Sequence, residues 1–292
     1  MAKKINTTVE CDEFILSCRS EDESAGLPAI VIGSSVYYPR TFSRDLCKKI
    51  QMIYLDHRGF SKATKPFDNS SFELDVLIDD IEAARKKLEL EKIVIIGHSG
   101  HAFMALEYAK KYPEHVSHVI LIATSPNAST DAFIEAERYF AESVCPERKA
   151  LYEKSMQLLK SDIEANPDKR FIFYSLRSGP RIWYDYQYDA TPLWQDVSVI
   201  PEMFDYVWGK LFKEIDVTIG LDQLNIPVLL MLGRYDYWNP PHLWEPLRQK
   251  FKNLTIRVFE KSGHTPQLEE PELFDNELLS WLSKPGISRR KS

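Results

Sequence analysis

Ile93-Val94-Ile95-Ile96-Gly97-His98-Ser99-Gly100-His101-Ala102 runs from a wholly apolar stretch into a serine flanked by glycines and then into a helical pattern. A short apolar run without alternation suits a strand buried on both faces of a sheet. A sharp strand-to-helix turn lifts a serine hydroxyl clear of that sheet. It also turns the next backbone N–H, here that of Gly100, toward a developing oxyanion. The same Ser-Gly pair before a helix serves elsewhere as a plain N-cap, so the stretch needs partners before it reads as chemistry.

Outward from this stretch the apolar pattern repeats at Ala29 to Ile32, Ile50 to Leu55, Val119 to Ile122, Val228 to Leu232 and Thr255 to Phe259. Amphipathic stretches at helical spacing lie between them: Leu74 to Leu88, Ala102 to Tyr112 and Leu243 to Phe251, with Pro271 opening a last helix through Leu282. Thr7 to Cys11 and Phe14 to Arg19, joined at Asp12-Glu13, read as an antiparallel hairpin at a sheet edge. The alternation predicts an α/β fold with a mostly parallel sheet covered on both faces. It fails from about Ser125 to Leu224, where Ala128 to Glu142, Glu147 to Ala165, Pro167 to Leu176 and Pro201 to Phe212 follow one another as helical patterns. The expected organisation is a core of residues 1–125 and 225–292 with a helical cap at 126–224. The basic end, Arg289-Arg290-Lys291, is expected to be disordered.

A serine hydroxyl is a poor nucleophile at neutral pH and needs a base, which needs an orienting partner. Both are supplied at strand ends: Gly233-Arg234-Tyr235-Asp236 follows one apolar run and Lys261-Ser262-Gly263-His264 the next. Ligand sites in open α/β sheets gather at the carboxyl ends of strands, so Ser99, Asp236 and His264 are expected to converge from distant parts of the chain.

Composition removes other function classes. The 292 residues carry a net charge of −6, which provides no basic field for nucleic acid or anionic lipid. No apolar h-region or membrane-length run is present, and the expectation is a cytosolic protein. Cys11, Cys18, Cys47 and Cys145 form no CxxC pair and read as reduced structural thiols, with Cys11 and Cys18 near enough in the hairpin to face each other across it.

Ser99 with its flanks, Asp56-His57-Arg58-Gly59-Phe60-Ser61, Tyr235-Asp236 and Ser262-Gly263-His264-Thr265-Pro266-Gln267-Leu268-Glu269-Glu270-Pro271 together resemble the α/β-hydrolase fold family, in particular its proline-iminopeptidase-like branch. The resemblance covers the chain except the cap and implies a serine hydrolase: Ser99 nucleophile, His264 general base, Asp236 its orienting carboxylate, Gly100 one oxyanion donor. Many relatives have His-Gly after the third strand where this chain has Gly33-Ser34-Ser35, so the second donor is the N–H of Ser35 or Ser34, with strand length favouring Ser35. His101 stands where a small residue is usual. A serine rather than an aspartate directs the chemistry to acyl transfer, with no metal or organic cofactor implied.

For the substrate, the aromatic segment Ile182 to Ala190 is expected to face Ser99, with Trp183, Tyr186 and Asp185 as contacts and Tyr37 joining them from the oxyanion loop. The interleaved Asp185, Asp189, Asp196, Glu202 and Asp205 raise a second possibility, since cap carboxylates in iminopeptidase relatives hold a free α-amine. The expectation is a small ester or amide hydrolase acting on a small molecule or short peptide. Its alternatives are an aminopeptidase and a non-enzymatic ligand-binding or signalling module.

Overall fold

The structure is a computed structural model that describes residues 4–21, 24–142 and 145–284; the basic tail at 289–291 lies outside them. Its strands are β1 (Asn6–Cys11), β2 (Phe14–Arg19), β3 (Pro28–Gly33), β4 (Gln51–Asp56), β5 (Lys62–Ala63), β6 (Ile93–His98), β7 (Val116–Ile122), β8 (Val228–Gly233) and β9 (Leu254–Phe259). They form one sheet in the order β1-β2-β4-β3-β6-β7-β8-β9, with β5 paired to β2. From β4 to β9 every pairing is parallel, while β1 and β2 make the expected antiparallel edge hairpin. The order reverses at β3, which lies between β4 and β6, and so opens a crevice at the carboxyl ends of β3 and β6.

Strand periodicity divides the core in two. Ile30, Ile32, Ile53, Ile95 and Leu230 pack on one face, and Val31, Tyr54, Val94, Ile96 and Met231 on the other. Both faces are covered, which is why these strands read as unbroken apolar runs. Helices Leu74–Lys87, His101–Lys111 and Pro271–Leu282 stand where the helical spacing placed them. Residues 241–250 instead form a 3-10 helix, because Pro246 inside it has no N–H to donate to an α-helical ladder. Between β7 and β8 the regular elements among the described residues are all helical, the first starting at Thr130 and the last ending at Glu214, and the stretch read as one helix from Glu147 divides into Pro146–Gln157 and Leu159–Ala165.

The hairpin register sets Cys18 opposite Thr7 and Cys11 opposite Phe14, so the two thiols do not face each other. Both are buried, and burial pushes the Cys18 thiol up to about 12. No helix of the described residues is long and apolar enough to cross a membrane.

The Asp-x-Arg-Gly loop is tied down by a buried charge network. Arg58, 1% exposed, donates from Nε and Nη2 to the two carboxylate oxygens of Asp80 at 2.6 and 2.9 Å, and also reaches Asp12 at 2.8 Å. Removing one partner of a buried pair strands the other charge. Arg58→Met is therefore expected to lower stability by ~3–5 kcal/mol. Urea denaturation followed by circular dichroism measures this, and partial recovery in Arg58→Met/Asp80→Asn would identify the stranded carboxylate as the cause.

Candidate active site

Ser99 follows β6 directly and has φ of +57°, a left-handed conformation that non-glycine residues seldom adopt. Such strain persists only where the surroundings over-determine it: the Ser99 N–H donates to the Ile122 carbonyl at 2.8 Å, and the helix His101–Lys111 starts immediately after. Gly97 makes that tight turn possible, since a Cβ there would lie 2.4 Å from the His101 carbonyl oxygen and 2.5 Å from the Ala102 Cα.

Asp236 and His264 meet. The 3.0 Å hydrogen bonds from the Trp238 and Asn239 N–H groups hold Oδ1 of the wholly buried Asp236, and Oδ2 lies 2.7 Å from His264 Nδ1. A carboxylate can only accept, so His264 Nδ1 carries the hydrogen and its Nε2 keeps a lone pair. The loops after β8 and β9 approach so closely that a Cβ on Gly233 would sit 1.8 Å from the Gly263 carbonyl oxygen. His264 donates its own N–H to the Ile182 carbonyl at 2.5 Å. Its carbonyl accepts from His98 Nε2 at 2.6 Å, and the two imidazoles lie 4.7 Å apart, which sets the histidine loop against the residue preceding Ser99. Glu269 braces the same loop by accepting from the Gly263 and Thr265 N–H groups at 2.9 and 3.0 Å, and burial pushes its carboxyl up to about 7.

The oxyanion loop differs from expectation in one respect. The Ser35 N–H, favoured by strand length, is turned away to donate to buried Asp56 Oδ1 at 2.5 Å. Burial lifts that aspartate to about 6. The Ser34 hydroxyl accepts from the Val36 and Tyr37 N–H groups at 3.2 and 3.1 Å, which orders the loop. An engaged N–H offers no free donor, so of the two candidates it is the Ser35 N–H that is taken.

Of the expected substrate contacts, two lie close to the histidine loop. Tyr37 is buried, with its phenol beside Thr265, and packs at 4.6 Å on Trp194. Trp183 is buried where Gly263 closes on Ile182 and Trp183. Two do not. Tyr186 lies over the Arg148 guanidinium at 5.0 Å, and Asp185 is exposed and accepts the Gln187 N–H at 3.0 Å. Asp189, Asp196, Glu202 and Asp205 are exposed as well, Asp189 capping Thr191 and Asp205 pairing with Arg170. A short polar side chain at a turn finds its nearest donor in its own backbone.

Sequence reasoning missed the residue that covers the Ser99 turn. A Cβ on Gly100 would lie 2.5 Å from the indole nitrogen of Trp208, within the π-helical turn Val207–Leu211. It also missed a buried polar cluster of Tyr38, His57, His98 and His101. The π-helical turn, a form often found at functional sites, has no residue signature, and the cluster joins side chains from three segments far apart in the chain, at residues 38, 57 and 98–101.

Comparisons with known proteins agree with this fold. The sequence profile of the alpha/beta hydrolase fold matches residues 25–271. AB hydrolase superfamily protein YclE of Bacillus subtilis is 41% identical over 94% of this chain and 97% of its own. A proline iminopeptidase of Heyndrickxia coagulans is 24% identical over 86% and 89%. Among solved structures, a thermophilic esterase from Thermogutta terrifontis superposes with a TM-score of 0.68 at 20% identity, covering 99% of this chain and 100% of its own. The proline iminopeptidase of Mycobacterium smegmatis gives 0.69 at 16%, covering 95% and 97%. With a parallel sheet ending in a strained serine turn and a profile match over most of its length, the chain belongs to the α/β-hydrolase fold family.

Proposed function

We propose that the protein is a serine hydrolase that cleaves a small ester or amide through an acyl-enzyme on Ser99. The observation that carries this reading is the 2.7 Å contact of His264 Nδ1 with a fully buried, doubly anchored Asp236, held against the residue that precedes a strained serine. His264 Nε2 takes the proton of Ser99 as Oγ attacks the substrate carbonyl carbon. The N–H groups of Gly100 and Ser34 receive the oxyanion. As the intermediate collapses, the C–O or C–N bond breaks and His264 passes its proton to the leaving alcohol or amine. Water, deprotonated by His264, then attacks the acyl carbon, and the proton returns to Ser99 as the acid departs.

In this reading residues 126–224 act as a cap. The supporting contacts are Trp208 against Gly100 and the Ile182 carbonyl on the His264 N–H. Relatives named proline iminopeptidase motivate the aminopeptidase as a second reading. The outward placement of Asp185, Asp189, Asp196, Glu202 and Asp205 favours a substrate without a free amine.

A fluorophosphonate probe followed by peptide mass spectrometry is expected to modify Ser99, and an unmodified Ser99 would favour the binding module. Short-chain nitrophenyl esters are expected to turn over at least ~10-fold faster, in kcat/KM, than prolyl- and alanyl-naphthylamides, the size of preference that pocket contacts ordinarily supply. The opposite order makes the protein an aminopeptidase.

A further inference from the structure

Beside the Ser99 turn lies a buried polar cluster that the proposed mechanism does not use. His98 Nε2 faces the His264 carbonyl at 2.6 Å, so this nitrogen carries the hydrogen and Nδ1 is a lone pair that accepts the Tyr38 hydroxyl at 3.1 Å. The Tyr38 oxygen and the His98 carbonyl, at 3.0 and 3.1 Å, then both accept from His101 Nδ1. This leaves His101 Nε2 as a bare acceptor. His57 has the opposite tautomer, because its Nδ1 accepts the Gly59 N–H at 2.8 Å, which makes Nε2 a donor. Burial pushes both imidazoles down, His101 to about 4, so both are neutral near pH 7.

Among the described residues neither His57 Nε2 nor His101 Nε2 has a hydrogen-bond partner, although the residues are only 4% and 5% exposed. Their rings are 4.8 Å apart, and Trp208 packs on both. Buried polar groups are normally paired, and an unpaired donor beside an unpaired acceptor is costly. A carboxylate satisfies only the first and an ammonium only the second. A hydroxyl satisfies both, and one oxygen can bridge rings at this separation.

We propose that His57 Nε2 and His101 Nε2 form a specificity subsite for an uncharged hydroxyl on the acyl portion of the substrate, reached when the Trp208 turn shifts outward. The inference rests on the serine-hydrolase reading and deepens it. The leaving group must lie by His264 to receive its proton, whereas the acyl chain remains beside Gly100, where Trp208 and the two histidines lie.

The test compares hydrolysis of methyl butyrate, methyl 2-hydroxybutyrate and methyl 3-hydroxybutyrate in a pH-stat, with fluorophosphonate modification of Ser99 measured in parallel. One hydroxy ester is expected to exceed butyrate by at least ~10-fold in kcat/KM, because a site built to hydrogen-bond a hydroxyl rejects the analogue lacking it. His57→Phe is expected to bring the ratio near unity, its fold checked by circular dichroism. If that variant does not fold, His101→Leu provides the same measurement. Modified Ser99 with butyrate turned over as fast as both hydroxy esters, or no hydroxy ester hydrolysed, overturns the subsite and leaves the hydrolase standing, with the pair then holding at most a structural water. A preference that survives the folded variants also overturns it. Unmodified Ser99 brings down the hydrolase reading, and the subsite with it.

Discussion

Ser99→Ala is expected to lower kcat for a turned-over nitrophenyl ester by ~10^4-fold or more, since removing the nucleophile of a triad leaves only binding and oxyanion stabilisation. The substitution is also informative about the fold. Ser99 has φ of +57°, which costs an L-residue with a Cβ about 1 kcal/mol or more and costs glycine little. Ser99→Gly should therefore be as inactive as Ser99→Ala but more stable by about 1 kcal/mol. Esterase assays beside thermal melts of the three proteins check both parts. An alanine variant that retained a tenth of wild-type kcat would remove Ser99 from the chemistry (~10-fold against the ~10^4 expected).

Asp236→Asn is expected to cost roughly 10^4-fold in kcat with little change in stability. The asparagine oxygen still accepts the N–H groups of Trp238 and Asn239, now at 3.0 Å from Oδ1. The amide nitrogen then occupies the Oδ2 position, 2.7 Å from His264 Nδ1. A donor facing Nδ1 forces the lone pair there and the hydrogen onto Nε2, so the histidine presents a proton to Ser99 when it should remove one. Steady-state kinetics with a circular dichroism melt separates this from unfolding. A variant with a wild-type melt and kcat within ~10-fold of wild type would show that Asp236 does not orient the base.

Much of this site was legible because its supports are local in sequence. The strand ending at His98, the glycine at 97 that admits the helix and the residues at the ends of β8 and β9 each lie within a few positions of the element that places them. Where the readings fell short, the deciding partner lay elsewhere. Ser35 has the right distance from its strand, but Asp56 on the neighbouring strand takes its N–H. Asp185 and Tyr186 lie in an aromatic segment of the expected kind, yet one caps its own turn and the other packs on Arg148 of the helix Pro146–Gln157.

The sequence by itself determined the parallel sheet, its buried strands, the hairpin edge and the order in which Ser99, Asp236 and His264 reach one end of it, because periodicity and turn residues act over a handful of positions. Tertiary structure alone decided that Asp56 takes the Ser35 N–H, that Trp208 covers Gly100, and that the rings of His57 and His101 lie 4.8 Å apart with opposite tautomers. Those outcomes depend on hydrogen bonds and packing between segments far apart in the chain, and a donor or acceptor is free only when every neighbour in space has been counted.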